Sequence, residues 1–454
     1  MMKAVFLTAV FTAFLNIPKA PAQDTKADVW DVDRCMAYAV KHNHTVRQRE
    51  LSLDNNKADR LRAAGSFLPG ISIGSGMQYN FGRSVDPETN TYKDVSTFSN
   101  NYSLYASMPL FNGGGLVAQL RQAHIGTLLG RAALEQARDD AALRTFEAFI
   151  QVVYYNGCVD IARRKLAETN SLLTKTKLME ELGLKGKADV ASVEAQKATD
   201  MYTLTRQENL ASTAMLTLKQ QMNFPEDSIL ELTVGNMDIA HRTTENRQEV
   251  VAMALVTNPG IRYSELNVKY AGLSRRTAWA GVLPSLSVSG GVSTSYYKTR
   301  HVDGYPSFSR QFHDNKGTYF GFSLSVPIFN RFSGITSIRK ARNNFRIAQE
   351  NCEEEKENLR KVVTQAVNDC DGYWRETVQM EQKVKSDSIV YRITRRKYEE
   401  GMMTSLDVQN TASTLMESRA KLLQSRLTYM LKCRLVDYYK GNSIVRYHPA
   451  DNKE

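Results

Sequence analysis

Four stretches of the chain alternate between apolar residues and small or polar ones. They cover residues 70–81, 102–111, 285–297 and 319–329. The first and third follow a Leu-Pro pair, in "LPGISIGSGMQYNF" and "LPSLSVSGGVSTSYY". A period of two places successive side chains on opposite faces of a strand. The pattern therefore predicts four β-strands, each with one apolar face.

Three of these predicted strands have clear apolar faces. The faces comprise Ile71, Ile73, Met77 and Tyr79, then Tyr102, Leu104, Ala106 and Met108, then Phe320, Phe322, Leu324 and Val326. Strands of about 9–11 tilted residues are long enough to span a bilayer. Alternation alone fits a sheet covering a soluble core equally well, so the helices that follow decide between the two.

Two segments, residues 116–182 and 335–400, lack proline and carry apolar residues at intervals of three and four. At roughly 1.5 Å per residue, each segment predicts a helix of about 100 Å. A helix of this length is too long for the core of a globular domain, so the pattern predicts an elongated protein. The predicted coiled-coil seams contain Leu143, Phe146, Ile150 and Val153 in the first helix, and Leu359, Val362 and Ala366 in the second. An opening helix over about 30–66 and return helices over 188–222 and 406–439 complete the predicted helices.

The chain repeats itself. "AVKHN" from residue 39 matches "ALVTN" from 254, "MPLFNGG" from 108 matches "VPIFNRF" from 326, and "GLKGKADV" from 183 matches "GMMTSLDV" from 401. The offsets are 254 − 39 = 215, 326 − 108 = 218 and 401 − 183 = 218. Two structural repeats are predicted, over 23–240 and 241–442, with a tail over 443–454.

The first 22 residues have the features of an export signal. Lys3 precedes an apolar run, and Ala20-Pro21-Ala22 is a small-residue cleavage site, so the mature chain is expected to begin near Gln23. After it no apolar run reaches the length of a transmembrane helix, and 24% of the residues are charged. The net charge of +11 is spread along the chain without a basic block, which argues against nucleic-acid binding.

No catalytic motif is found for phosphate, serine-hydrolase or zinc-protease chemistry, so no enzyme activity and no cofactor are expected. His42 and His44 lie two residues apart, on different sides of a helix, and therefore make a poor metal site. The five cysteines are odd in number and widely spaced, which does not indicate a disulfide framework.

Four strands cannot close a barrel, and lipid does not tolerate an unpaired sheet edge. If the strands span a membrane, the chain must therefore be an oligomer. Two chains would give eight strands and three would give twelve, and the sequence physics leaves both open.

The duplicated Leu-Pro strands, the "PLFNGG" segment before the long helix and the "G-(x)5-DV" turn resemble the TolC-like outer-membrane efflux proteins. The resemblance covers about residues 30–440. It implies an α/β membrane protein: a homotrimer whose 12-stranded outer-membrane β-barrel, with four strands per chain, continues into a long α-helical coiled-coil tunnel across the periplasm. It also implies a periplasmic adaptor and an inner-membrane transporter as partners.

In that family, an iris at the turns closes the periplasmic end. The resemblance places this gate at Asp189, Tyr398, Met403, Asp407 and Asn410. The family pattern often has an Arg where this chain has Met403 and a carboxylate where it has Asn410, so the closed state is expected to depend more on packing than on ion pairs. Both aspartates also lie in a first helical turn, where a carboxylate is favoured by the helix dipole.

The resemblance places the adaptor-docking tips at Gly183, Leu184, Gly186, Gly401 and Met402. The strand and helix boundaries are expected at Pro69, Pro109, Pro284 and Pro327. The expected function is a passive exit duct of a tripartite efflux system. Two alternatives remain: the exit channel of a type I protein secretion system, and a periplasmic coiled-coil adaptor or structural protein that forms no channel.

Overall fold

The computed structural model describes residues 29–85, 89–94, 96–233, 245–299 and 304–445. The predicted export signal, the predicted start near Gln23 and the predicted junction between repeats at 240–241 lie outside the described residues. Only residues 443–445 of the predicted tail lie within them.

In chain order the elements are β1 (Val29–Trp30), α1 (Val32–His42), α2 (His44–Gly65), β2 (Gly70–Asn80), β3 (Arg83–Val85), β4 (Tyr92–Asp94), β5 (Thr97–Asn112), α3 (Gly115–Glu181), α4 (Lys187–Met222), β6 (Glu231–Leu232), α5 (Arg247–Thr257), α6 (Pro259–Ala280), β7 (Ser285–Thr299), α7 (Phe308–Asp314), β8 (Gly317–Ser325), α8 (Ser333–Glu399) and α9 (Ser405–Tyr439). In the described part of the chain, no helix combines the length and the apolar character needed to cross a bilayer.

The prediction of one opening helix over 30–66 is wrong, because the helix breaks at Asn43. This residue has an extended backbone, and its side-chain oxygen accepts hydrogen bonds from the amides of Thr45 and Val46. Asn258 interrupts the second opening helix in the same way, and Pro259 follows it as the first residue of α6. An asparagine side chain that caps a new helix competes with continuation of the old one.

The two long helices, α3 and α8, each have 67 residues. The return helix α4 packs along α3, α9 packs along α8, and α6 lies between α3 and α8. One seam position was predicted wrongly. Val362 is 47% exposed, whereas its neighbour Val363 is fully buried, because the step from Leu359 is four residues and not three.

Four strands form one antiparallel sheet in the order β2-β5-β7-β8. β5 begins at Thr97, earlier than predicted, because its polar first residues pair with strands on both sides. β8 ends at Ser325, so Val326 lies beyond the strand, and Pro327 follows without an N–H to donate to the sheet.

The strand register gives the sheet two different faces. Large apolar and aromatic side chains dominate one of them: Ile71, Ile73, Met77, Tyr79, Phe98, Tyr102, Leu104, Met108, Val288, Val292, Tyr296, Phe320, Phe322 and Leu324. Serine and glycine dominate the other: Ser72, Gly74, Gly76, Ser99, Ser103, Ser107, Ser287, Ser289, Gly291, Ser293, Ser295, Gly321 and Ser323. Every residue of β2 is solvent-exposed, including those on the apolar face.

The described parts of the loops between the strands contain regular elements that the sequence analysis did not predict. The first contains the hairpin β3–β4 and the second contains α7. β7 extends beyond the end of β8, and Gln311 of α7 covers the exposed edge: its side-chain oxygen accepts from Tyr297 N–H and its side-chain nitrogen donates to Tyr297 C=O. This pair satisfies backbone groups that would otherwise lie unpaired at a sheet edge.

Candidate functional site

The candidate site lies at the ends of the two long helical hairpins, α3–α4 and α8–α9. Each long helix ends just before a glycine in the left-handed region, Gly183 with φ +72° and Gly401 with φ +79°. The amide of Leu184 then donates to Met179 C=O, and the amide of Met402 to Lys397 C=O. These bonds satisfy carbonyls that the helix leaves free, so each turn reverses the chain in a few residues.

Each return helix is capped by an aspartate in its first turn. The Asp407 carboxylate accepts hydrogen bonds from the Thr404 hydroxyl at 2.6 Å and the Thr404 amide at 3.0 Å. These two bonds, the hydroxyl first, hold the pKa of Asp407 below its usual value. The Asp189 carboxylate accepts from the Gly186 amide at 3.3 Å. Both aspartates therefore stabilise helix starts, whatever else they do.

The two tips contact each other within one chain. Lys185, in the first turn, donates to Met403 C=O at 3.4 Å, and its ammonium lies 4.7 Å from the ring centroid of Tyr398. The Ser405 hydroxyl donates to the Asp189 carboxylate at 3.5 Å. We refer to these contacts, made by Lys185, Asp189, Tyr398, Met403 and Ser405, as the tip clasp.

Tyr398 is completely buried and lies at the centre of the tip clasp. Its hydroxyl is 2.8 Å from that of Thr176, and burial raises its pKa. Around it lies an apolar cluster of Leu172, Leu173, Val193, Tyr391, Val408 and Leu415, with Met403 packed against it. Packing is thus the main component of the clasp, with one cation added by Lys185.

Polar links continue along the hairpins away from the tips. Lys175 pairs with Glu399 at 2.6 Å, and this contact is the main cause of a lowered pKa for Glu399. Further along, Lys165 pairs with the buried Asp200 at 3.2 Å and donates to the Ser413 hydroxyl at 3.1 Å. Lys165 therefore joins α3 to both return helices.

The outer surfaces of the tips are unusually apolar for exposed turns. Exposed fractions are 66% for Leu182, 68% for Leu184, 63% for Met402 and 59% for Leu406. Gly186 is also exposed. Apolar side chains exposed to this degree and clustered on a turn are suited to contact with another protein.

The sequence-predicted site residues fall into two groups. Asp189, Tyr398 and Met403 meet in the tip clasp, whereas Asn410 is exposed on α9 and the Asp407 carboxylate accepts hydrogen bonds from Thr404 at the start of its own helix. Lys185 was missed. The repeat contained a signal for it, because 185 + 218 = 403 places Lys185 opposite Met403 in the two copies.

The four boundary prolines also differ in position. Pro69 and Pro284 directly precede β2 and β7, and Pro327 follows β8 by two residues. Pro109 lies inside β5, where the register with β7 shifts between Pro109 and Phe111. Proline is tolerated at such a bulge because the strand pairing is already interrupted there.

Across the described ranges, no group of three or more His, Cys, Asp or Glu side chains is placed to hold a metal ion. The five cysteines are free thiols, four of them buried. Burial raises the pKa of the Cys35 thiol to about 12, so it is protonated at neutral pH.

Comparison with known proteins gives one family. The family model described as "Outer membrane efflux protein" matches residues 37–223 and 250–431. The outer membrane protein TolC of Salmonella enteritidis is 22% identical over 395 residues, covering 84% of this chain and 75% of TolC. The pyoverdine export outer membrane protein OpmQ of Pseudomonas putida is 21% identical over 420 residues, covering 87% of this chain and 83% of OpmQ.

Solved structures show the same fold. CusC superposes with a TM-score of 0.78 at 15% identity, covering 91% of this chain and 92% of CusC. The outer membrane protein VceC from Vibrio cholerae superposes with a TM-score of 0.77 at 15% identity, covering 91% of this chain and 96% of VceC.

Proposed function

Because the chain belongs to the outer membrane efflux protein family, we propose that it is the passive outer-membrane exit duct of a tripartite efflux system. In this proposal it carries solutes from an inner-membrane pump and a periplasmic adaptor to the exterior. It performs no catalysis, since the motion of the cargo is driven by the pump. The family match itself places the protein in the outer membrane.

The observation that carries the proposal is the two-faced sheet with open edges. A large apolar face suits lipid, and a serine- and glycine-rich face suits a water-filled lumen. β2 and β8 are the edge strands of the four-stranded sheet. In lipid those edges need partners, which two copies of the sheet could supply as eight strands or three copies as twelve. The resemblance to the TolC-like proteins favours three copies, so the duct is proposed to be a homotrimer.

The helices are proposed to form the periplasmic part of the duct. α3 and α8 are each about 100 Å long at roughly 1.5 Å per residue. The helices recur in order: α1, α2, α3 and α4 have 11, 22, 67 and 36 residues, and α5, α6, α8 and α9 have 11, 22, 67 and 35. This supports an internal two-fold repeat, with each repeat supplying two strands and two columns of helix to a tunnel that continues the barrel.

At the far end of the tunnel, the tip clasp is proposed as the gate and the exposed apolar turns as the adaptor-docking surface. The clasp joins the two hairpins of one chain, so breaking it would allow them to separate. The turns around Gly183 and Gly401 have exposed leucine and methionine side chains at the very end of the molecule. An adaptor contacting these turns could favour the separated arrangement by binding it more tightly.

The name of the OpmQ relative refers to pyoverdine export, which favours solute efflux over protein secretion as the use of this duct. A duct and a non-channel adaptor protein are separated by extraction and by conductance. The protein should leave the outer membrane only with detergent, migrate with the mass of three chains, and form ion-conducting pores in planar bilayers. Recovery of a monodisperse monomer from the periplasm without detergent would contradict both the barrel and the trimer.

A further inference from the structure

A groove of about 740 Å³ lies where the helices meet the sheet. Its walls come from the start of α3, the end of α6 and the start of α8. Gly113 and Gly114, which precede α3, and Leu283, which precedes β7, also line it. One chain supplies the whole groove, so it does not depend on the proposed trimer.

Four arginines line this groove, and we call it the arginine groove. They are Arg121 of α3, Arg275 and Arg276 of α6, and Arg342 of α8. Among the residues that the structure describes, none of the four forms an ion pair with a carboxylate. Arg275 instead lies over the ring of Phe345, 4.7 Å from its centroid. Uncompensated positive charges that converge on one concave surface attract anions.

The rest of the groove surface is apolar. Trp279 lines it and is 55% exposed, and Leu273, Leu283 and Ile338 lie beside it. A small inorganic anion has no apolar part that could pack against this surface. A ligand with an acid group and an apolar body can use both parts, since guanidinium groups bind phosphate or carboxylate by two parallel hydrogen bonds and stack on flat groups.

We propose that the arginine groove binds the acid group of an anionic amphiphile and holds its apolar part against Trp279. The volume lies within the range of sites for drug-sized ligands. Where the proposed function is correct, the groove lies at the boundary between the membrane and the periplasm, where Trp and Arg side chains are typical anchors. The two sources of such a ligand are an acidic phospholipid of the membrane and an anionic solute inside the duct.

Trp279 is a built-in reporter, because Trp30 and Trp374, the other two tryptophans, do not line the groove. In the first arm, the full-length protein is placed in phosphatidylcholine nanodiscs containing brominated phosphatidylglycerol, and Trp fluorescence is followed. In the second arm, water-soluble octyl phosphate is titrated onto the protein in a neutral detergent. The Trp279→Phe variant lacks the tryptophan of the groove, so the fluorescence change that it loses in each arm is the part that comes from the groove.

We expect saturable changes in Trp279 fluorescence that weaken as salt is raised, because exposed charges are screened. Combined Arg121→Gln, Arg276→Gln and Arg342→Gln should weaken binding about tenfold or more, since three charge-assisted contacts are lost. Arg339→Gln is the matched control for Arg342→Gln alone: each removes one charge from α8, and Arg339 lies outside the groove. Stronger quenching by the brominated anionic lipid than by brominated phosphatidylcholine identifies the lipid as the source, and a response to octyl phosphate alone identifies a solute.

Equal quenching by anionic and zwitterionic lipid, together with no saturable response to octyl phosphate, would overturn the proposal. An equal effect of Arg339→Gln and Arg342→Gln would also overturn it, since general surface charge would then explain binding. The octyl phosphate arm does not require the trimer, so failure of both arms rejects the groove and leaves the duct intact. A separate variant, Ile73→Trp, tests the barrel, because it places a tryptophan on the apolar face of the sheet. If brominated phosphatidylcholine does not quench the fluorescence of that tryptophan, the proposed barrel is rejected and the groove is not.

Discussion

Lys185 Nζ lies 4.7 Å from the ring centroid of Tyr398 and 3.4 Å from the carbonyl oxygen of Met403. The lysine belongs to the turn after α3, while both partners belong to the end of α8 and the turn that follows it. This contact supplies, from the first repeat, a positive charge that the second repeat lacks at Met403. The contact between the two tips thus combines aromatic packing with one cation.

Replacing Lys185 with Met should favour separation of the two tips. A cation–π contact and one hydrogen bond together contribute about 1–2 kcal/mol, which corresponds to roughly a 5- to 30-fold change in the closed-to-open ratio. Single-channel recordings should show a larger resting conductance. Lys187→Met removes the same charge two residues away and should leave conductance unchanged; an equal increase in both variants would attribute the effect to charge alone.

Gly401→Val should impair export while the protein remains in the membrane as a trimer. The backbone at Gly401 has φ +79°, and a non-glycine residue in this conformation costs about 1–2 kcal/mol, more when it is β-branched. Apart from its two chain neighbours, no described residue lies within 4 Å of the position of an added Cβ, so the strain is in the backbone and not in packing. Gly401→Asn, which tolerates this conformation, should retain most of the efflux measured by dye retention in cells. Normal efflux with Gly401→Val would argue against the tip as a contact surface.

The charge of Asp407 is expected to make the pore cation-selective, because three chains would place three such carboxylates round one axis. Asp407→Asn removes the charge and keeps an acceptor for the Thr404 bonds, whereas Asp407→Ala also removes that acceptor and weakens the helix start. Both variants should lower cation selectivity and weaken block by a trivalent cation in bilayer recordings. If cation selectivity and trivalent block persist in the Asp189→Ala, Asp407→Ala double variant, the two carboxylates do not control the pore and act only in helix capping.

Lys165→Met should destabilise the tunnel far more than any tip variant. Asp200 is 2% exposed and Lys165 13%, so the substitution leaves a buried carboxylate without its cation, at a cost of about 3–5 kcal/mol. The double variant Lys165→Met, Asp200→Leu should recover most of the loss in thermal unfolding experiments. If the double variant is as unstable as the single one, the unpaired charge of Asp200 is not the cause of the loss, and the pair stabilises the protein through its packing.

Acid should loosen the link between Lys175 and Glu399. The pKa of Glu399 is lowered in the folded protein, first by its hydrogen bond with Lys175, so the link is fully present above the usual glutamate pKa and is lost as pH falls through the folded value. Resting conductance should therefore rise below about pH 4.5. In Glu399→Gln that acid-dependent rise should be absent, and a rise of unchanged size would assign it to another group.

Sequence periodicity predicted the long elements well and their interruptions poorly. The helices α3 and α8 lack proline over their full length, so their patterns are long enough to be unambiguous. The break at Asn43 was missed because a single capping side chain decides it, within a segment whose apolar pattern continues on both sides. The early start of β5 was missed because its polar residues become a strand only through pairing with β2 and β7.

The candidate site was predictable in position but not in contacts. Two glycine turns at matching places in a repeat identify both tips from sequence alone. The contacts between the two tips depend on how the two hairpins pack. This packing buries Tyr398 against Thr176 and leaves Asn410 exposed. Lys185 could be found only by comparing the repeats position by position.

The equal length of α3 and α8 has a mechanical consequence. A stiff rod of about 100 Å that pivots by one degree at the sheet moves its far end by roughly 1.7 Å. Two such rods pivoting in opposite senses separate by about twice that distance, which is enough to break a hydrogen bond at the tip clasp. A rotation too small to disturb the sheet is thus amplified along the hairpins. The length of the helices alone makes the tips move further than any other part of the hairpins for a given rotation.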